Sequence, residues 1–175
     1  MIHVKATKQV RPFGVVESYW KFYNERFTDI SERAVQEHLM PAEEFLRVVN
    51  DTRITKYTAF SLGEIVGLSV MTSDLEAWPL VSPAYFRRAY PGRTVFYIGF
   101  VAAAPGYLGV FDMLVRAMRE EVVAAKGVFV MDFCSANIEG RRIPQVTERL
   151  LRSVDPDLTF GEIDRQVYYA GEFSG

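Results

Sequence analysis

Residues 94–137 read TVFYIGFVAAAPGYLGVFDMLVRAMREEVVAAKGVFVMDFCSAN. The first eleven form an almost unbroken apolar run, which predicts a strand covered on both faces. Pro105-Gly106 ends it. A helix over about 108–125 follows, with Phe111, Leu114, Val115, Met118 and Val122 on one side and Arg116, Arg119 and Glu120 elsewhere. Gly127 takes the position of a helix terminator, and VFVMDFCSA (128–136) is a second buried strand. Strand, helix, strand in this order crosses over right-handed, so the two strands are parallel. The first N–H groups of the intervening helix lack internal partners and carry the positive end of its dipole, so an anion is favoured there.

Working outward, Ile2, Val4 and Ala6 alternate with polar residues, as in a strand with one buried face. From Val16 the period becomes helical, with Val16, Trp20, Tyr23 and Phe27 on one stripe. Asp29-Ile-Ser-Glu32 has the form of a capping box opening a second helix through Leu39. Pro41 suits a first helical position ahead of Phe45, Leu46 and Val49. ITKYTAFS and IVGLSVMT, joined around Leu62-Gly63-Glu64, predict a hairpin over 54–72. Residues 73–93 break the pattern with three prolines and a short helical piece at 84–89. A helix over 144–151 and two closing strands, LTFGEI (158–163) and RQVYYAGEF (165–173), end the chain.

At 175 residues, 49% hydrophobic and 24% charged, the sequence predicts a single domain, 1–175, with a proper core. A net charge of −2 without a basic block argues against a nucleic-acid surface. One Cys excludes an internal disulfide and fits a reducing, cytoplasmic setting. Two distant histidines offer no metal-ligand spacing. No run of about 18 uncharged apolar residues suggests a membrane span.

This order of elements resembles the GNAT acyltransferase superfamily. The likeness in residues is confined to about 95–140. Ala103-Ala104-Pro105-Gly106-Tyr107-Leu108-Gly109-Val110-Phe111 partly echoes that family's V-x-P and Q/R-x-x-G-x-G/A turn, and Asn137 follows the fifth strand as in the family. The resemblance implies an acyl-CoA, either acetyl-CoA or a longer one, lying in a V-shaped gap between the strands of Val101 and Phe133. Its pantetheine arm would pair with backbone around Phe100 to Ala103, and its pyrophosphate would sit over the N–H groups of Leu108, Gly109, Val110, Phe111 and Asp112. Asn137 would orient it. The departures are specific. Leu108 stands in place of a basic or Gln residue, Phe111 in place of the second glycine, and Asp112 adds negative charge. Gly99 and Pro144 fall where the family often has an acid and a Tyr. Neither transfers a proton.

Three groups remain for acid–base work. Tyr97 is an acid if it projects into the gap and a packed core residue otherwise. Asp132 is the only ionisable base on either central strand if it points inward. Ser135 is either a proton donor to a thiolate or a strand-end residue bonding its own backbone. Cys134, with no His nearby in sequence, reads as a small buried hydrophobe. In 73–93, Trp78 and Tyr85 offer an apolar wall and Arg87 and Arg88 pair anions, as an acceptor-binding segment or as a lid with solvated arginines.

The expectation is an α/β (α+β) domain with a mixed, mostly antiparallel twisted sheet, a central splayed parallel strand pair, and helices on both faces. Its expected activity is acyl-CoA-dependent transfer to an amine of a small molecule or protein. Gly99 and Ala102 to Ala104 leave space for an acyl chain larger than acetyl. Two other readings stand beside it: a non-catalytic domain binding a ligand or protein partner through the gap, and an enzyme using a carrier-bound acyl group. Aromatics in 73–93 or the final strands offer surfaces on which two copies could pair as a homodimer.

Overall fold

A computed structural model of the chain describes residues 1–11, 13–34, 39–79 and 81–171. The elements run β1 (Ile2–Thr7), α1 (Phe13–Ser31), α2 (Ala42–Asn50), β2 (Thr55–Ser61), β3 (Glu64–Thr72), α3 (Pro83–Ala89), β4 (Val95–Ala103), α4 (Val110–Ala124), β5 (Val128–Met131) and α5 (Ile143–Arg152). The five strands lie in sequence order in one sheet, with β1–β2, β2–β3 and β3–β4 antiparallel and β4–β5 parallel. The sheet is thus mixed and mostly antiparallel.

Alternation along the strands builds two cores. On one face Leu68, Val70, Phe100 and Ala102 meet Tyr19 and Tyr23 of α1 and Phe45, Val48 and Val49 of α2. On the other, Ala59, Val66, Phe96 and Ile98 meet Val110, Leu114, Met118 and Val122 of α4 and Leu151 of α5. Helices therefore cover both faces. Gly67 has a packing reason: a Cβ there would lie 2.4 Å from Val110 Cγ1, so the glycine lets the first turn of α4 rest on β3.

Three local expectations change. Asp29 lies inside the last turn of α1 and opens no new helix; Thr28 and Ser31 donate to the carbonyls of Asn24 and Thr28, both at 2.7 Å, and so cap nothing N-terminally. Residues 35–38 of the expected second helix lie outside the described set. Pro41 is the cap of α2 rather than its first helical residue. Lys126, at φ +50°, takes the left-handed position after α4, where Arg93 donates to the Lys126 and Gly127 carbonyls at 2.9 and 2.7 Å. Gly127 is required instead by close approach, because a Cβ would lie 2.7 Å from the Phe96 ring.

The largest change is at the C-terminus. No strand forms among the described residues after β5, which itself stops at Met131, five residues short of expectation. Residues 158–171 lack ladder hydrogen bonds; side chains hold the segment instead, with Phe160 stacked on Phe129 at 6.0 Å and Leu158 against the α4-side core. Strand composition does not make a strand without an edge to pair with. The parallel pair accordingly stands at one end of the described sheet.

Candidate active site

The parallel pair opens along its length. β4 and β5 pair from Val95↔Val128 to Ile98↔Met131 and no further, while β4 continues to Ala103. At the parting point β4 carries an extra residue. Val70 opposes Phe100 and Met71 opposes Ile98, which leaves Gly99 as a bulge. A bulge bends its strand and turns it from its neighbour. From Gly99 to Ala103 the β5-facing edge of β4 is therefore an open backbone edge among the described residues.

Side chains close the inner end of this opening. Tyr97 donates a hydrogen bond to Asp132, the first residue past β5. Burial pushes the Tyr97 hydroxyl well above its usual pKa, and the Asp132 charge pushes it further. Trp78 lies 5.7 Å from Tyr97, ring centre to ring centre, and covers Gly99 so closely that a Cβ there would sit 2.2 Å from its Cη2. The room expected above Gly99 is thus filled by indole.

At the outer end, Pro105 to Gly109 lead into α4, with Gly109 at φ +81° as the cap. The first α-helical bond is Met113 N–H to Gly109 O at 2.9 Å; ahead of it the Val110 N–H donates to Tyr107 O at 3.4 Å, and those of Phe111 and Asp112 precede the ladder. Asp112 is engaged by Arg116 at 2.6 Å, which offsets its charge at the helix start.

A broad open concavity of about 2840 Å³, reaching residues of α1, α2, α4 and α5 as well, takes in the inner end of this opening. Of the residues singled out in the sequence, Tyr97, Phe100, Val101, Ala103, Phe111, Asp132, Ser135 and Asn137 line it, as do Trp78, Tyr85 and Arg88. The Phe100 side chain is committed to the core beside Tyr23, 4.9 Å away, so only its backbone faces the opening. Leu108 is 95% exposed, and neither it nor Gly109 nor Val110 contributes to the lining; Val110 is buried against β3. Arg87 points elsewhere, 3.9 Å from Glu76, and does not line the cleft. Tyr85 reaches the tail, donating to the Ile163 carbonyl at 3.5 Å.

Several features of the cleft escaped sequence reasoning. Arg141 bonds Asp29 at 2.6 Å, joining the turn after β5 to the end of α1 across 112 residues of sequence. Thr147 is completely buried, and its Oγ1 has no hydrogen-bond partner among the described residues. No local pattern announces either.

No family model matches this sequence, and no curated protein aligns with it. Solved structures do. An aminoglycoside acetyltransferase from an uncultured soil metagenomic sample superposes with a TM-score of 0.55 at 16% identity, over 96% of this chain and 99% of its own. A ribosomal-protein-alanine N-acetyltransferase from Brucella melitensis biovar Abortus 2308 gives 0.57 at 10% identity, over 98% and 100%. The aminoglycoside N-acetyltransferase AAC(6')-Iy, in complex with CoA, gives 0.58 at 12% identity, over 98% and 95%. Agreement of this extent at such low identity is agreement of backbone, and the chain has the fold of the GNAT acetyltransferases.

Proposed function

We propose that this chain transfers an acyl group from acyl-CoA to a primary amine. The observation that carries the reading is the open β4 edge from Gly99 to Ala103, with the Tyr97–Asp132 pair at one end and the α4 N-terminus at the other. The residues present fit a CoA thioester. An open strand edge accepts an extended amide-bearing arm as an added strand would be accepted. The α4 N–H groups favour a pyrophosphate, and neutralisation of Asp112 by Arg116 removes an obstacle to it. Asn137, at the β5 side, is the side chain assigned to orient the arm.

The thioester supplies an activated acyl carbon: a C–N bond forms, the C–S bond breaks, and an ammonium ion plus thioester become amide, thiol and one released proton. Asp132 accepts the proton that frees the amine lone pair. Tyr97 is a positioning residue in this scheme, because its own proton is held by burial and by the carboxylate it bonds. Ser135 is assigned the departing sulfur, as the hydroxyl lining the cleft just beyond Asp132. Positioning contributes the remainder, since holding amine and acyl carbon in contact lowers the barrier without further chemistry. The similar structures are named for amines on an aminoglycoside and on a ribosomal-protein alanine. A small-molecule or protein amine is the corresponding acceptor here.

A second reading keeps the fold without turnover, the cleft binding a ligand or a protein partner. Phe111 in the cleft wall and the exposed Leu108 favour it. Thermal unfolding with CoA and acetyl-CoA, followed by thiol release with a panel of amines, separates the two. Ligand at 100 times its dissociation constant adds about 2.7 kcal/mol of stability. Stabilisation with thiol release supports transfer; stabilisation without release selects the second reading; no stabilisation by any thioester removes the first.

A further inference from the structure

We infer that Trp78 sets the length of acyl chain the cleft accepts, closing it beyond an acetyl-sized group. The inference rests on the acyl-CoA reading and adds the substrate class of that same site. From Ala103 back to Gly99 the open edge of β4 spans about 13 Å at roughly 3.3 Å per residue. The α4 N-terminus stands at the Ala103 end, so an arm anchored there and extended along the edge delivers its reactive end at Gly99. That spot is where Trp78 lies. Its Cη2, Cζ2 and Cζ3 sit 2.2, 2.4 and 2.6 Å from the position a Gly99 Cβ would take, so the six-membered ring rests directly on the backbone.

Phe100 and Ala102 are 7% and 6% exposed within the core, and Tyr97 is occupied by Asp132. The backbone that carries the indole is held by local hydrogen bonds. Asp74 accepts from Glu76 N–H at 3.2 Å and donates its own N–H to Thr72 Oγ1 at 3.0 Å. Thr72 in turn donates to the Arg53 carbonyl at 2.9 Å, and the Trp78 backbone N–H donates to Leu75 O at 3.3 Å. A chain longer than acetyl meets this aromatic ring over Gly99 rather than a vacancy. Removing that ring leaves an apolar hollow, and such hollows accept apolar guests.

The test is binding of acetyl-CoA and octanoyl-CoA to the wild type and to Trp78→Ala, by calorimetry and by shift of the thermal midpoint. Wild type should favour acetyl-CoA. Trp78→Ala should keep acetyl-CoA binding while its octanoyl-to-acetyl affinity ratio rises by about tenfold or more. Trp78→Phe, which keeps a smaller ring, should move the preference only to a short chain such as butyryl, and it serves if the alanine variant does not fold. An unchanged ratio with acetyl-CoA binding intact overturns the inference and leaves the acyl-CoA reading standing. Equal binding of both thioesters by the wild type overturns it as well. If the wild type binds no thioester, the acyl-CoA reading fails and the inference falls with it.

Discussion

Tyr97, on the paired half of β4, donates its hydroxyl hydrogen bond to Asp132, which follows the last residue of β5. Side chains thereby take over the connection between the two strands where backbone pairing stops. This single contact anchors the inner end of the cleft and presents the carboxylate that the proposed reaction needs.

Replacing Asp132 with Asn keeps an acceptor for Tyr97 but removes the group that takes a proton. Amine-dependent thiol release should fall by about a hundredfold or more, while the thermal shift from acetyl-CoA stays the same. A loss smaller than about fivefold would assign the proton to another group.

The Tyr97 proton also enters the stability of the fold. An unfolded tyrosine ionises near 10.0, whereas burial and Asp132 hold the folded one protonated above that value. Above this pH the folded state binds more protons than the unfolded one, so stability falls as pH rises. Urea midpoints between about pH 9 and 11 should drop more steeply for the wild type than for Tyr97→Phe. Parallel slopes would show that this hydroxyl contributes nothing to the alkaline loss.

Lys56 acts with the opposite sign. Its ammonium is fully buried and donates to the carbonyls of Lys8, Asp51 and Ile54 at 3.1, 2.6 and 2.9 Å. Burial nevertheless pulls it down from 10.5 to about 8, against the attraction of Asp51. Between those values the unfolded chain binds more protons, so stability contributed at this site rises with pH. The wild type should therefore gain on Lys56→Met from about pH 8 to 10.5. A constant difference across that window contradicts the direction of the shift.

Gly99 and Trp78 should be coupled. Gly99→Ala places a methyl group inside the indole and should cost about 1–3 kcal/mol in urea unfolding. In a Trp78→Ala background the same change should cost less, with an interaction energy of about 0.5 kcal/mol or more. An additive cycle would mean that the ring does not rest on this glycine.

The hairpin turn between β2 and β3 holds Leu62 at φ +51° and Gly63 at φ +84°, both in the left-handed region that a tight two-residue turn requires. Leu62 is 94% exposed and packs against little. Leu62→Asn should stabilise the chain by about 1 kcal/mol through relief of that backbone conformation. A lower urea midpoint would refute it.

The elements legible in the sequence are those whose cause is local. The apolar run at 94–104, the 3.6-residue stripe of α4 and the β-branched and aromatic arms of β2 and β3 all appear where the local pattern places them, because each pattern matches the burial of its element. Punctuation was less legible. Asp29 has the spacing of a capping box, yet burial of Tyr23 and Ile30 carries α1 past it. Gly127 has the spacing of a left-handed terminator, yet Lys126 takes that conformation, and its carbonyl and that of Gly127 find Arg93. RQVYYAGEF has strand composition, but over its described residues it meets no edge with which to form a ladder.

By itself, the sequence determined the strands of the 54–72 hairpin and of the 94–104 run, the helix that follows, and that a parallel pair spans this helix, since these follow from hydrophobic pattern and chain connectivity. Only the tertiary structure decided where that pair opens, that Trp78 covers Gly99, that Tyr97 holds Asp132, and that Arg87 turns to Glu76 and away from the cleft. These depend on a one-residue bulge and on contacts between residues far apart in the chain, and neither a bulge nor a distant contact leaves a periodic trace for a reader of residues to follow.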